Sequence, residues 1–183
     1  MNYEPSTIFM TIAEFDHLPT EKKKTLLLQC CGSLTWVDKM ITVFPVEDLV
    51  ELLEAAEERW DECNEQDWRE AFDHHPKIGD INSLKEKFAN TAQWASAEQS
   101  GVNDAAENVI HELAKANEEY EKKFGTIFIV CATGKSAEQM LGILKERLNN
   151  AKEDEIKIAA AEQLNITKLR LEKLFGITEN NKA

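Results

Sequence analysis

Eight consecutive residues, Asp73-His74-His75-Pro76-Lys77-Ile78-Gly79-Asp80, place two imidazoles, two carboxylates, a proline and a glycine together in a chain with only four histidines and four prolines. Imidazole gives and takes a proton near neutral pH, so the chemistry open to this stretch is general acid-base catalysis. Proline disfavours the α conformation of the residue before it, which predicts that a helix stops at His75 and the chain turns extended there. At the carboxyl end of a helix, the partial negative charge of the last carbonyls would favour imidazolium, the form a general acid requires. The same letters also describe an ordinary helix stop.

Other constellations are weaker. As neighbours, His74 and His75 point in different directions and with Asp73 and Asp80 give no clean ligand set, so no metal is expected. Gly134-Lys135-Ser136 follows an apolar run and opens a helix, as a phosphate-cradling loop does, but the position that must be glycine holds Ile129. Ser96-Ala97-Glu98-Gln99 reads as a capping box that would project Glu98 from the first turn of a helix. A carboxylate beside His75 would set its charge and tautomer.

The elements that must hold these groups are helical. Apolar residues recur at helical spacing from Thr11 to Leu18 and from Glu21 to Cys31, the latter capped by Thr20 and ended before Gly32. Trp36, Val37, Met40 and Ile41 form a core stripe. Pro45 is expected to start a helix carrying Leu49, Leu52, Leu53, Ala56 and Trp60. Gln66 to Phe72 leads into the His-Pro stretch, and Asp80 can cap a helix reaching Phe88. Asn103 to Lys123, Ser136 to Asn149 and Glu153 to Phe175 complete the set, with His111 given no role. Thr126 to Ala132 is β-branched and bounded by Gly125 and Gly134, an extended run with no partner strand. Its backbone groups then need partners elsewhere, which leaves amides and carbonyls for a ligand.

With 183 residues, 43% of them hydrophobic, and helical periodicity along nearly all of it, the chain suits one all-α domain, residues 1–183, with a polar tail from Gly176 to Ala183. The formal net charge of −13 argues against binding nucleic acid or an anionic membrane. No apolar run approaches the roughly 20 residues of a membrane span, and the first residues lack a signal-peptide pattern. A cytoplasmic protein is expected, with Cys30, Cys31, Cys63 and Cys131 as reduced thiols.

Five motifs in order, His75-Pro76-x-x-Gly79, Glu98-Gln99 followed by Gly101, Phe124-Gly125 leading into Phe128-Ile129-Val130-Cys131-Ala132, Arg147-Leu148-x-Asn150, and Leu169-Arg170-Leu171, resemble the OHCU decarboxylases. These are the 2-oxo-4-hydroxy-4-carboxy-5-ureidoimidazoline decarboxylases of urate degradation, and the resemblance spans a core of about 9–175. The resemblance implies a helical, usually dimeric carboxy-lyase that needs no cofactor and yields (S)-allantoin and carbon dioxide from one small-molecule substrate. It makes His75 the catalytic histidine, assisted by Glu98 and Arg170. Pro76, Gln99 and the run Phe128, Ile129, Val130, Cys131 and Ala132 become the residues that bind substrate. One departure stands out: the family often has serine three residues before the glutamate, where this chain has Ala95, with Ser96 next along. Two other readings remain open, a non-catalytic acidic helical interaction protein and an acid-base enzyme acting on a related ureido or imidazole compound.

Overall fold

The computed structural model describes residues 10–75 and 100–176, with side chains from residue 107 onward in the second stretch. Eight α-helices run through the described residues, and no strand occurs among them. They are α1 (Ile12–Asp16), α2 (Thr20–Cys31), α3 (Leu34–Ile41), α4 (Leu49–Asp61), α5 (Glu65–Asp73), α6 (Ser100–Phe124), α7 (Ala137–Arg147) and α8 (Lys152–Leu174). The all-α class expected from periodicity holds. None of these helices is long and apolar enough to cross a membrane. Two compact units divide the chain, one within Met1–His74 and Ala161–Ala183, the other within His75–Ala160.

In the first unit, Thr11 and Glu14 make a reciprocal capping box that starts α1 and aims Phe15 inward. Phe15 is fully buried, with the rings of Phe44 and Phe175 centred 4.8 and 5.5 Å from its own. The expected stripe on α3 is the core: Trp36, Val37 and Met40 are buried, and the Trp36 indole donates to the Ala56 carbonyl of α4 at 3.0 Å. Burying each such side chain stabilises by about 1.5–3 kcal/mol.

Two helix starts differ from expectation. Thr20 is the first residue of α2 rather than its cap, and the N-cap is Pro19, whose carbonyl accepts the amides of Lys22 and Lys23. Pro45 precedes α4 by several residues, and Asp48 caps it by accepting the Glu51 amide at 2.9 Å. A proline only permits a helix start, whereas a carboxylate satisfies the orphan amides of the first turn.

The second unit is built on α6 and α7, which bury Ile110, Leu113, Tyr120, Phe124, Met140 and Leu144 in one cluster. Gly125 ends α6 at φ 72°, its amide closing on the Glu121 carbonyl, and the chain then runs without ladder bonds through 126–132. Ser136 and Gln139 form a second capping box at the start of α7.

None of the four cysteines is in a disulfide. Burial pushes Cys30 and Cys31 from 9.0 up to about 12 and Cys63 up to about 11, so none of these three offers a thiolate at neutral pH.

Candidate active site

Helix α5 delivers the His-Pro stretch. Asn64 and Asp67 cap its start reciprocally, Ala71 and Phe72 anchor its inner face, and it ends at Asp73 with His74 as the C-cap. His75 is the next residue, half-buried, so the stop falls where Pro76 predicted and the end is a carboxyl end.

His74 packs against the carboxyl end of α2. Gly32 there has φ 87°, and a Cβ at that position would stand 2.8 Å from His74 Cβ and 3.3 Å from the Ala71 carbonyl. Only glycine tolerates both the left-handed backbone and so close an approach. The ends of α2 and α5 therefore abut.

The same end of α2 receives Arg170. Its NH1 donates to the carbonyls of Cys30 at 3.1 Å and Gln29 at 3.4 Å. Gln163 donates to the Cys31 carbonyl at 3.3 Å and to Thr167 Oγ1 at 3.2 Å. Positions 163, 167 and 170 share one face of α8, so a polar stripe of that helix satisfies the last carbonyls of α2. The guanidinium also sits at the negative end of the helix dipole. Its Nε and NH2 make no hydrogen bond among the described residues, so the cation is anchored on one side with donors to spare. Arg170 and His74, far apart in sequence, thus meet at one helix end, and His75 follows His74 in the chain.

The run 128–132 lies in the other unit. Ile129 is buried, while Phe128, Val130 and Ala132 pack against the α6 and α7 cluster. Four of the run's five side chains are thereby engaged in packing, and what it can offer a ligand is backbone. Nor is that backbone wholly open, as expected from sequence. The Ile129 carbonyl accepts from Arg147 NH1 at 2.7 Å, and the Cys131 carbonyl from Lys135 Nζ at 2.6 Å. Lys135 and Ser136, the end of the rejected phosphate loop, serve as this clamp and as the cap of α7.

Arg147 and Asn150, one motif of the resemblance with no role given to them, belong to a buried polar cluster that sequence reading did not assemble. Arg147 Nε and NH2 reach Glu155 Oε1 at 2.7 and 2.6 Å, Tyr120 donates its hydroxyl to the same oxygen, and Asn150 donates to Oε2 at 2.7 Å. The Arg147 and Glu155 side chains are 8% and 1% exposed, and the guanidinium lies 4.7 Å over the Phe128 ring. Burial and the Glu155 hydrogen bond push the Tyr120 phenol upward, so it remains a donor. The signal was present in the periodicity: Met140, Leu144 and Arg147 share one face of α7, and Glu155, Ala159, Gln163, Thr167 and Leu171 recur every four residues along α8, all buried.

Pro76, Glu98 and Gln99 lie outside the described residues, as do Ser96 and the helix expected after Asp80. Among the described residues no group of three or more histidines, cysteines or carboxylates could hold a metal ion.

A family model described as OHCU decarboxylase matches residues 16–172. The Arabidopsis thaliana protein named Uric acid degradation bifunctional protein TTL is 38% identical over 149 residues, 80% of this chain and 45% of that protein. The Uric acid degradation bifunctional protein of Bacillus sp. (strain TB-90) is 30% identical over 133 residues, 73% of this chain and 24% of that protein. The chain thus spans less than half the length of the curated relatives it matches. A crystal structure of OHCU decarboxylase in the presence of (S)-allantoin superposes with a TM-score of 0.65 at 37% identity, covering 86% of this chain and 99% of that one. A crystal structure of (S)-allantoin synthase superposes equally well at 14% identity, covering 90% and 54%, a likeness of fold alone. With its family match running from α1 into the last turns of α8, the chain belongs to the OHCU decarboxylase family.

Proposed function

We propose that the protein is a cofactor-independent carboxy-lyase that converts OHCU to (S)-allantoin and carbon dioxide in urate degradation. The observation that carries this reading is the 37% identity to a solved OHCU decarboxylase almost the whole of which aligns with this chain. The meeting of Arg170 with the end of α2, against which His74 also packs, supports it. The whole chain is read as one such domain, acting as a homodimer in the cytoplasm, and light scattering on the purified protein tests the dimer.

Decarboxylation needs somewhere for the departing electron pair to go, which is why many such enzymes recruit a cofactor. This substrate carries its own acceptor. The bond between C4 and the carboxylate breaks, its pair forms a double bond between C4 and C5, and the C5=N pair moves onto nitrogen, which takes a proton. The C4 hydroxyl then loses its proton to become a carbonyl, while C5, which bears the ureido group, gains one on a single face. The protein must therefore orient the substrate and move one proton stereospecifically. His75, one residue beyond a helix C-cap, is the proton carrier, with Glu98 hydrogen-bonded to the imidazole or to the substrate hydroxyl. Positioned proton transfer contributes about a hundredfold to ten thousandfold. The unused donors of Arg170 grip substrate oxygens in the plane that lysine cannot reproduce. Gln99 and the 128–132 backbone read the ureido and ring amides, with Pro76 beside them.

Purified protein added to freshly oxidised urate is expected to release carbon dioxide and to form allantoin in one hand, followed by circular dichroism. Racemic allantoin at the spontaneous rate would overturn the reading.

A further inference from the structure

We propose that the buried Arg147–Glu155 pair is a positioning device for the substrate-reading backbone, acting by fixing the orientation of the peptide between Ile129 and Val130. This rests on the function proposed above. In a trans peptide the carbonyl of one residue and the amide N–H of the next point in opposite directions. Arg147 NH1 holds the Ile129 carbonyl at 2.7 Å, so the Val130 N–H is turned away from the guanidinium. Lys135 does the same one step further on: its hold on the Cys131 carbonyl turns the Ala132 N–H to the side opposite its ammonium. Two alternate carbonyls are thus pinned by cations, and the intervening Val130 amide and carbonyl have no partner among the described residues.

The construction around Arg147 is more elaborate than holding a loop requires. Glu155 engages both Nε and NH2, which orients the guanidinium so that NH1 is left for Ile129. Tyr120 and Asn150 occupy the remaining acceptor capacity of Glu155. The Phe128 ring lies against one face of the guanidinium. A carboxylate so saturated has one geometry, and so does the arginine it holds, which is what a donor aimed at a small planar substrate needs. Lysine in place of arginine could reach Glu155 or the Ile129 carbonyl but cannot present a rigid fork to both.

Arg147→Lys is the test, with steady-state kinetics on OHCU beside a thermal melt. A merely structural role lowers the folded fraction, so turnover per total protein falls while KM stays the same. A positioned backbone donor that holds the substrate alike in ground and transition state predicts the opposite split, KM raised about tenfold with kcat of the folded enzyme nearly unchanged. An unchanged KM in a folded variant overturns the inference and leaves the decarboxylase reading standing, whereas inactivity of the wild type on OHCU overturns that reading itself. Should the variant fail to fold, the wild type still decides. The sequence has a single Ile-Val pair, so labelling isoleucine at its carbonyl carbon and valine at its amide nitrogen gives one doubly labelled peptide. Its resonance is expected to shift when (S)-allantoin is added to protein that turns over OHCU, and a resonance that stays in place at saturating product overturns the inference.

Discussion

Two arginines in this molecule make the same kind of contact, guanidinium to backbone carbonyl, in opposite settings. Arg147 is 8% exposed, paired with a carboxylate that is itself saturated, and holds one carbonyl of an extended run. Arg170 is half-buried, lacks a carboxylate partner among the described residues, and holds two carbonyls at the end of α2 with one nitrogen. The first commits all three of its nitrogens inside the protein and acts on a ligand through the peptide it fixes. The second has two nitrogens, Nε and NH2, without a partner among the described residues. The difference teaches that a charged side chain is read better by counting its uncommitted donors than by its burial.

The largest expected effect comes from breaking the saturated pair. Arg147→Met leaves Glu155 buried without its cation and is expected to destabilise by about 3–5 kcal/mol, measured by urea unfolding. A loss below about 1 kcal/mol would mean that the pair is no more than a surface-like contact. Arg170→Lys should separate the two arginines: stability within about 1 kcal/mol of wild type, but kcat/KM on OHCU lowered about tenfold to a hundredfold. If both substitutions cost stability and activity in the same proportion, the distinction fails.

A smaller effect distinguishes the settings by pH. The three buried thiols, all in the first unit, are raised from 9.0 to between about 11 and about 12. In the unfolded chain they ionise as pH passes 9, while in the fold they keep their protons, so the unfolded state loses protons first. Their contribution is fully present below pH 9 and is lost as pH climbs toward 12. Urea midpoints at pH about 8 and about 10 should therefore fall, and Cys63→Ala, the least strongly raised of the three, should lessen the drop.

Much of the fold was legible in the sequence because apolar spacing at a period near four is a strong local signal, as in α3 and α6. Helix starts were less so. Thr20 and Pro45 were favoured by residue type, but the cap is decided by which side chain or carbonyl actually faces the first amides, and Pro19 and Asp48 do. The buried polar residues were hidden for a related reason: Arg147, Glu155, Gln163 and Thr167 look like a solvated face until they are placed on the same stripes as Leu144, Ala159 and Leu171. Of the site, sequence gave the helix stop at His75 and singled out Arg170 through resemblance. It could not show that Arg170 and His74 share the end of α2, because that meeting depends on the close approach at Gly32. The opposite error occurred at 128–132, where an unpaired extended run was expected to leave its carbonyls open, and two of them are clamped by Arg147 and Lys135, residues whose motifs gave no hint of what they would hold.

The most direct test of the central claim is the conversion of freshly generated OHCU by wild type and by His75→Asn, each first shown to be folded by its melting temperature. Asparagine keeps a polar side chain of similar reach but cannot carry the proton. The account predicts rapid formation of one allantoin enantiomer by the wild type and a rate lowered about a hundredfold or more in the variant. A variant that forms (S)-allantoin at nearly the wild-type rate would contradict it.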